Sequence, residues 1–163
     1  SNPDRTRRTR LMRAYRLNQS LYSSYDGEGA RRAGGRWNLK GTRVIYRSEN
    51  RWLCVLEVLA HLTDILPDRY VPGQADIPGE LRLPSSWKTL LVAEQTLTRQ
   101  IGDDWVARQS SAILFVPSVV LGEKNILLHP EHPDFRQIQF YDPAPFVFDV
   151  RLFRQATSAR YPT

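Results

Sequence analysis

A loop rich in glycine and arginine is the first segment whose residue types indicate chemistry. It covers residues 27–38 and reads GEGARRAGGRWN. Glycine lets the backbone approach a ligand closely, and arginine presents forked donors that match phosphate groups. The spacing matches neither the dinucleotide-binding fingerprint nor a P-loop, because no strand leads through it into a helix and no Gly-Lys-Ser/Thr follows. The loop therefore indicates an anion site or, from composition alone, a mobile surface loop.

Glu57 is the second candidate, because it is a carboxylate in an otherwise apolar segment. The surrounding residues predict a helix that is capped by Ser48 or Asn50 and runs through about Thr63. Its predicted apolar face consists of Leu53, Leu56, Leu59, Ala60 and Leu62. A polar stripe at helical spacing consists of Asn50, Cys54, Glu57, His61 and Asp64.

The stripe that contains Glu57 has two interpretations. It is either the solvent-facing side of an amphipathic helix or the rim of a cleft. In a cleft, the carboxylate would stabilise positive charge that develops on a ribosyl group only in the transition state. Helical spacing alone leaves both interpretations open.

Other reactive residue types do not form a site by spacing. Cys54 lies in an apolar run and is expected in the core. His129 and His132 are separated and followed by proline, which favours a structural turn over a metal site, so no metal is expected. Ser111 and Ser118 flank an apolar strand without a Gly-x-Ser-x-Gly elbow, which argues against a serine hydrolase.

The charge is concentrated at one end of the chain. Of the 163 residues, 1–51 carry thirteen basic and four acidic side chains, whereas 52–163 carry ten and thirteen. Arginine supplies 20 of the 23 basic residues, which favours a phosphate-bearing or otherwise anionic ligand near the first third. Residues 1–12 are predicted to be a flexible basic arm. No segment has the length and apolarity of a membrane span or the pattern of a signal peptide, so we expect a cytoplasmic protein.

The remaining pattern predicts one α+β domain with mixed sheets and few helices. Besides the helix near Glu57, a helix is predicted over 97–108, with Trp105 facing inward. A long loop is predicted over 18–42. Strands are predicted at 13–17, 43–47, 112–116, 125–129, 138–141 and 146–152, with short extended pieces at 70–71, 80–83 and 89–92.

Read together, these segments resemble the RES-domain family, which is named for an arginine, a glutamate and a serine. The resemblance covers residues 13 to 153 and depends on the order of the pieces more than on any one of them. The matching pieces are 15–17 (YRL), 34–38 (GGRWN), Gly41, 44–46 (VIY), 56–59 (LEVL), 61–62 (HL), 102–103 (GD), Trp105, 116–118 (VPS), Asn125, Leu127, 129–130 (HP), 132–135 (HPDF) and 148–151 (FDVR).

The resemblance implies a toxin of a bacterial toxin–antitoxin pair with a fold similar to that of ADP-ribosyltransferases. Residues 13–163 would form the RES domain. The implied activity is NAD consumption at the nicotinamide–ribose bond by hydrolysis or phosphorolysis, with NAD as substrate and no cofactor. The implied partners are an Xre-like antitoxin that covers the active site and, within that complex, a second copy of the chain; no membrane partner is implied.

The resemblance also implies roles for individual residues. Arg16 and Arg36 would reach the phosphates or ribose of NAD, and Tyr46 would stack against nicotinamide. Glu57 would hold the nicotinamide ribose and stabilise the cationic transition state. Ser118 is the family serine in this interpretation, with Ser111 as the alternative.

Two further functions stay open at this stage. One is transfer of ADP-ribose to a protein by the same chemistry. The other is a nucleic-acid-binding or RNA-cleaving toxin, because the first 51 residues carry nine more basic than acidic side chains.

Overall fold

The structure is a computed structural model that describes residues 10–18, 25–54, 56, 71–81, 95–118 and 122–141. Within this part, helix α1 covers Glu28–Ala33 and helix α2 covers Gln95–Ala107, and 3-10 turns cover Gly79–Leu81 and Pro133–Gln137. The strands are β1 (Leu11–Asn18), β2 (Ile45–Ser48), β3 (Val71–Pro78), β4 (Ile113–Pro117), β5 (Lys124–Leu128) and β6 (Gln139–Tyr141).

The six described strands form one sheet in the order β4-β5-β2-β1-β3-β6. Every pairing among them is antiparallel, so the sheet is more uniform than the mixed sheets expected from the sequence. The predicted α+β class with few helices is confirmed. Since β2 and β4 both run opposite to β5, their carboxyl ends lie at the same edge of the sheet.

The two faces of the sheet carry separate apolar clusters, because successive side chains of a strand point to opposite faces. The first cluster is built around Ala14, Ile45, Ile77, Phe115, Ile126 and Leu128. The second cluster contains Trp37, Val44, Trp105, Val116 and Leu127, with Tyr46 packed against it. Helix α2 covers this second face, and Trp105 is buried there as predicted.

The sheet is weakest between β1 and β2. Strand β3 pairs with β1 along its whole length, from Val71 opposite Asn18 to Pro78 opposite Leu11. By contrast, β1 and β2 share a single pair, Tyr15 opposite Ser48. Both strands continue past that pair toward Arg16 and Arg47 without a ladder between them. The middle of the sheet therefore opens where arginines from both strands begin.

Most predicted elements are confirmed with shifted ends, but three details were wrong. The predicted loop over 18–42 contains helix α1. The pieces predicted around 70–71 and 80–83 correspond to strand β3, followed by a 3-10 turn at Gly79–Leu81. Leu56, predicted on the apolar face of its helix, is 49% exposed.

Several predictions fall outside the described residues. These are the basic arm up to residue 9, Glu57 and His61, and the extended segments predicted at 89–92 and 146–152. Within the described part, no helix has the length and apolarity required to cross a membrane.

A buried polar relay joins helix α2 to strand β4. The indole Nε1 of Trp105 donates to Oγ of Ser111 at 3.0 Å, and that hydroxyl donates to the carbonyl of Ile113 at 2.6 Å. Both side chains are buried. Since the Ser111 hydroxyl both accepts and donates a hydrogen bond inside the core, Ser111 is a structural residue.

We expect the Ser111→Ala substitution to lower the free energy of unfolding by about 1–3 kcal/mol, because it leaves the Trp105 N–H without its acceptor in the core. Chemical denaturation measures this loss. The matched control is Ser110→Ala at the exposed neighbouring position, with an expected change within about 0.5 kcal/mol. Equal effects of the two substitutions would contradict the role of the relay.

Candidate active site

The site is built around a tight turn of residues 35–38, the GRWN of the glycine-rich loop. The amide of Gly35 donates to the carbonyl of Asn38 at 3.0 Å and closes the turn. The hydroxyl of Tyr46, a residue of strand β2, reaches into this turn. It donates to Oδ1 of Asn38 at 2.6 Å and accepts from the amide of Trp37 at 3.0 Å. The turn is thereby fixed to strand β2.

Gly35 and Asn38 have specific reasons to be in this turn. A Cβ on Gly35 would lie 2.6 Å from the Tyr46 hydroxyl, so no side chain fits there. Asn38 is fully buried, and its Nδ2 lies within 2.9–3.1 Å of the carbonyl oxygens of Ala30, Leu39 and Thr42. The loop is therefore an ordered structure held by internal hydrogen bonds, and the alternative of a mobile surface loop is wrong for residues 27–42.

Helix α2 supports the turn from the other side. Thr98 donates from Oγ1 to the carbonyl of Arg36 at 2.6 Å, and Nε of Arg99 donates to the carbonyl of Gly35 at 3.0 Å. Asp103 accepts the amide of Leu39 at 3.1 Å. The helix approaches so closely that a Cβ on Gly102 would lie 1.7 Å from the carbonyl oxygen of Trp37. The backbone of the turn that carries Arg36 is thus held between strand β2 and helix α2.

These contacts determine which parts of Arg36 and Tyr46 can meet a ligand. The guanidinium carbon of Arg36 lies 5.9 Å from the centre of the Trp37 ring, a cation–π distance. Burial raises the pKa of Tyr46 to about 12, so its phenol is neutral at physiological pH. Because the hydroxyl is occupied by the turn, only the ring of Tyr46 remains for contact with a ligand.

Arg16 and Tyr46 come close to one another where β1 and β2 part. Burial lowers the pKa of the Arg16 guanidinium, and nearby Cys54 and Tyr46 act in the opposite direction. Cys54, predicted in the core, is 6% exposed. An arginine in such surroundings is suited to a buried anion or to the oxygens of a ribose.

The start of the helix that leads to Glu57 is described through residue 54 and at residue 56. Asn50 is its cap, since its Oδ1 accepts the amide of Leu53 at 2.7 Å. Leu53 and Cys54 are buried, whereas Trp52 is 72% exposed. Cys54 belongs to the stripe that contains Glu57, and its burial argues against that stripe being a solvent face. Glu57 itself lies outside the described residues.

Ser118 follows strand β4 and is buried, with its amide donating to the carbonyl of Glu123 at 3.0 Å. It lies at the sheet edge shared by the carboxyl ends of β2 and β4, the edge from which the chain leaves Ser48 toward the helix. Ser111, the alternative family serine, is used by the core relay. Of the two serines, Ser118 therefore has the more suitable position for the family serine.

Three of the arginines near the site are engaged in local structure. Arg31, Arg32 and Arg43 all contact the carboxylate of Glu28, at distances from 2.5 Å for Nη2 of Arg31 to 3.2 Å for Nη2 of Arg43. Hydrogen bonds from Arg31 are the main cause that lowers the pKa of Glu28 to about 2. These side chains therefore stabilise helix α1. Of the arginines in the glycine-rich loop, Arg36 is the one that does not contact Glu28, which makes it the remaining candidate for binding phosphate.

The two histidines form the predicted turn. The amide of His132 donates to the carbonyl of His129 at 3.1 Å, and Nδ1 of His132 accepts from the amide of Asp134. Burial lowers the pKa of His129, which therefore stays neutral. Among the described residues, no group of three or more potential ligands is arranged to hold a metal ion.

Sequence reasoning missed the supporting residues Thr98, Arg99 and Asp103, and also Arg47. Arg99 and Asp103 are four positions apart and so share one face of the helix, a signal that the sequence contains but that identifies no partner. Arg47 alternates with Tyr46 on strand β2, and strand alternation could have placed it on the face of Ile45.

Comparison with known proteins gives a consistent result. The RES domain family matches residues 10–149. "Prs ADP-ribosylating toxin" of Sphingobium sp. is 32% identical over 143 residues, covering 80% of this chain and 87% of that protein. "Toxin Res" of Yersinia enterocolitica is 34% identical over 151 residues, covering 86% and 99%.

The fold is also similar to a solved structure. A chain of the crystal structure of the M. tuberculosis MbcT–MbcA toxin–antitoxin complex superposes with a TM-score of 0.64 at 18% identity, covering 92% of this chain and 91% of that chain. At this identity the likeness concerns the fold.

We expect Gly102→Ala to destabilise the protein by about 1–3 kcal/mol or more, because the added methyl group collides with the Trp37 carbonyl and displaces the turn. Urea denaturation followed by tryptophan fluorescence measures the loss. Gly29→Ala is the matched control: no atom lies within 4 Å of its Cβ, and the change removes a helix glycine, so unchanged or slightly higher stability is expected. The idea fails when both variants unfold like the wild type.

A second expectation concerns acid stability. Because the folded-state pKa of Glu28 is depressed to about 2 from an ordinary 4.5, its stabilising contribution is present above pH 4.5 and is lost as pH falls toward 2. Melting temperatures of the wild type and Glu28→Gln should therefore differ at pH 6 and converge near pH 2. Glu80→Gln, which changes an exposed carboxylate, is the control, and we expect its melting temperature to stay close to that of the wild type at both pH values. A difference that stays constant with pH would contradict the assignment.

Proposed function

Since this chain belongs to the RES domain family, we propose that it is the toxin of a toxin–antitoxin pair and that it consumes NAD by cleaving the bond between nicotinamide and ribose. The observation that carries the proposal is the grouping of Arg16 and Tyr46 where β1 and β2 part, beside the rigid turn that presents Arg36. The names of the relatives from Sphingobium and Yersinia support it.

The arginines supply the binding of the dinucleotide. NAD carries a diphosphate, and guanidinium groups bind phosphate oxygens through paired, charge-assisted hydrogen bonds. The backbone of Arg36 and its neighbours in the turn is held by hydrogen bonds from α2 and β2, so little main-chain freedom is lost when Arg36 binds. Pre-organisation of this kind positions the scissile bond and lowers the entropic part of the barrier.

The ring of Tyr46 supplies a flat surface for nicotinamide. Its hydroxyl is held by the turn, which leaves the ring in one orientation. Stacking between aromatic rings is worth about 0.5–1.5 kcal/mol beyond the burial of apolar area. In the proposed site this contact orients the leaving group.

Glu57 supplies the electrostatic stabilisation. It follows Leu53 and Cys54 by four and three positions, the spacing of residues on one side of a helix, and both of those side chains are buried. When the C–N bond breaks, the electron pair leaves with nicotinamide and the ribose becomes cationic. Nicotinamide leaves as a neutral molecule, so no general acid is required. A carboxylate beside the ribose stabilises the charge as it develops.

The acceptor of the ADP-ribosyl group distinguishes three versions of this function. Water gives a hydrolase, inorganic phosphate gives a phosphorylase, and a protein side chain gives an ADP-ribosyltransferase. The name of the Sphingobium relative favours the third version. Each version breaks the same bond, so the roles of Arg16, Arg36, Tyr46, Glu57 and Ser118 are the same in all three, with Ser118 hydrogen-bonded near the ribose.

The proposed partner is an Xre-like antitoxin that covers the site, with toxin–antitoxin pairs assembling through a second copy of the chain. The solved complex with a similar fold is itself a toxin–antitoxin complex, which supports a partner of this kind. An antitoxin over the β1–β2 opening would block NAD and protect the cell that makes the toxin.

We expect Glu57→Gln to reduce NAD consumption by the purified chain at least about 100-fold, because the amide offers no charge to the transition state. Products are identified by mass spectrometry with water alone, with phosphate and with cell extract, which also identifies the acceptor. Glu80→Gln, an exposed carboxylate of the turn after β3, is the matched control and should retain full activity. Full activity of Glu57→Gln would remove the proposed role, and no NAD loss with the wild type under any condition would remove the function.

A further inference from the structure

Arg47 is a buried cation that the proposed chemistry has not used. It lies on β2, opposite Ile126 of β5, which in turn lies opposite Phe115 of β4. By strand alternation it shares the face of Ile45, within the first apolar cluster. Only 2% of the residue is exposed. A charged side chain in such a place requires compensation, since an uncompensated buried charge costs several kcal/mol.

The protein groups around Arg47 offer mainly aromatic rings. The guanidinium carbon lies 5.4 Å from the ring centres of both Tyr25 and Phe140. These rings pack against each other with centroids 4.9 Å apart, and the Tyr25 hydroxyl is held by the carbonyl of Tyr141 at 3.1 Å. Within the described part of the chain, Nε and Nη1 of Arg47 have no hydrogen-bond partner. These two nitrogen atoms of the guanidinium therefore remain available as donors.

A second arginine adds to the charge. The single β1–β2 pair joins Tyr15 and Ser48. Because the strands are antiparallel, Arg16, which follows Tyr15, and Arg47, which precedes Ser48, lie side by side just beyond that pair. Burial, and to a lesser extent the positive charge of Arg16, lower the pKa of Arg47 to about 10. In the register of the Tyr15–Ser48 pair, Arg16 and Arg47 lie on the same face of the sheet, and the positive charge of Arg16 disfavours that of Arg47.

We propose that Arg47 and Arg16 together form a phosphate-binding site in the β1–β2 opening, and that its ligand is the diphosphate of the dinucleotide. Two guanidinium groups offer enough forked donors for both phosphates, and the fixed Tyr25 and Phe140 rings hold one of them in place. The identity of the ligand rests on the function proposed above, whereas the affinity for diphosphate does not. Arg47 thereby becomes a substrate-binding residue beyond those that the family resemblance implies.

The test measures binding by the full chain of inorganic pyrophosphate, ADP-ribose and nicotinamide by isothermal titration calorimetry. We expect Arg47→Met to weaken pyrophosphate and ADP-ribose by about ten- to a hundredfold, because charge-assisted hydrogen bonds are lost. Nicotinamide binding should stay unchanged. Arg47→Lys should fall between, since it keeps the charge and loses the fork. Arg108→Met, at an exposed arginine after helix α2, is the matched control and should bind like the wild type.

Thermal unfolding separates a ligand-binding arginine from a structural one. Without ligand, Arg47→Met should melt at or above the temperature of the wild type, because the change replaces a buried cation with two unsatisfied nitrogen atoms by an apolar chain. The increase in melting temperature that pyrophosphate gives to the wild type should disappear. A strongly destabilised variant would identify Arg47 as a structural residue and overturn the proposal.

The two proposals can fail separately. Pyrophosphate binding that is equal in the wild type and Arg47→Met overturns the phosphate site, whatever the activity. Binding that depends on Arg47, in a wild-type protein that leaves NAD intact with every acceptor, supports the phosphate site and overturns the proposed function.

Discussion

The hydroxyl of Tyr46 is the interaction on which the site depends. It lies between the sheet and the glycine-rich loop and hydrogen-bonds two partners of the same turn, the Trp37 amide and the Asn38 side chain. A hydroxyl that is partly withdrawn from water needs its hydrogen bonds made, so the turn and the strand hold each other in one arrangement. Gly35 is required by the same contact, because the hydroxyl occupies the space of a Cβ.

Around this point the arginines fall into two groups, those with partners at the surface or on the turn and those at the β1–β2 opening, where the proposed ligand would bind. Arg31, Arg32 and Arg43 converge on Glu28 and stabilise helix α1 at the surface. Arg99 is used on the backbone of Gly35. Arg16, partly buried, and Arg47, buried, lie at the β1–β2 opening. Part of the positive charge of the first third of the chain is therefore paired with Glu28, and part of it lies at the proposed site.

Much of the fold was predictable because local patterns determine it. Strand β1, strand β4 and helix α2 follow from apolar periodicity, and the cap at Asn50 follows from its side chain. Strand β3 was predicted only in fragments, since its sequence VPGQADIP contains two prolines and a glycine and looks like a turn region. Its extended form comes from pairing with β1 along eight residues, a non-local interaction.

The sequence by itself determined the residue types of the site, their order along the chain and the family resemblance that joins them. It also determined that Asn38, Gly35 and Gly102 are small or hydrogen-bonding residues, without indicating what they contact. Only the tertiary structure decided that α2 supports the turn, that Arg43 contacts Glu28, and that Arg47 is buried beside Arg16. The physical reason is that these facts depend on contacts between residues distant in sequence, such as Thr98 with Arg36, and on where one strand pair ends. Local propensity carries no information about either.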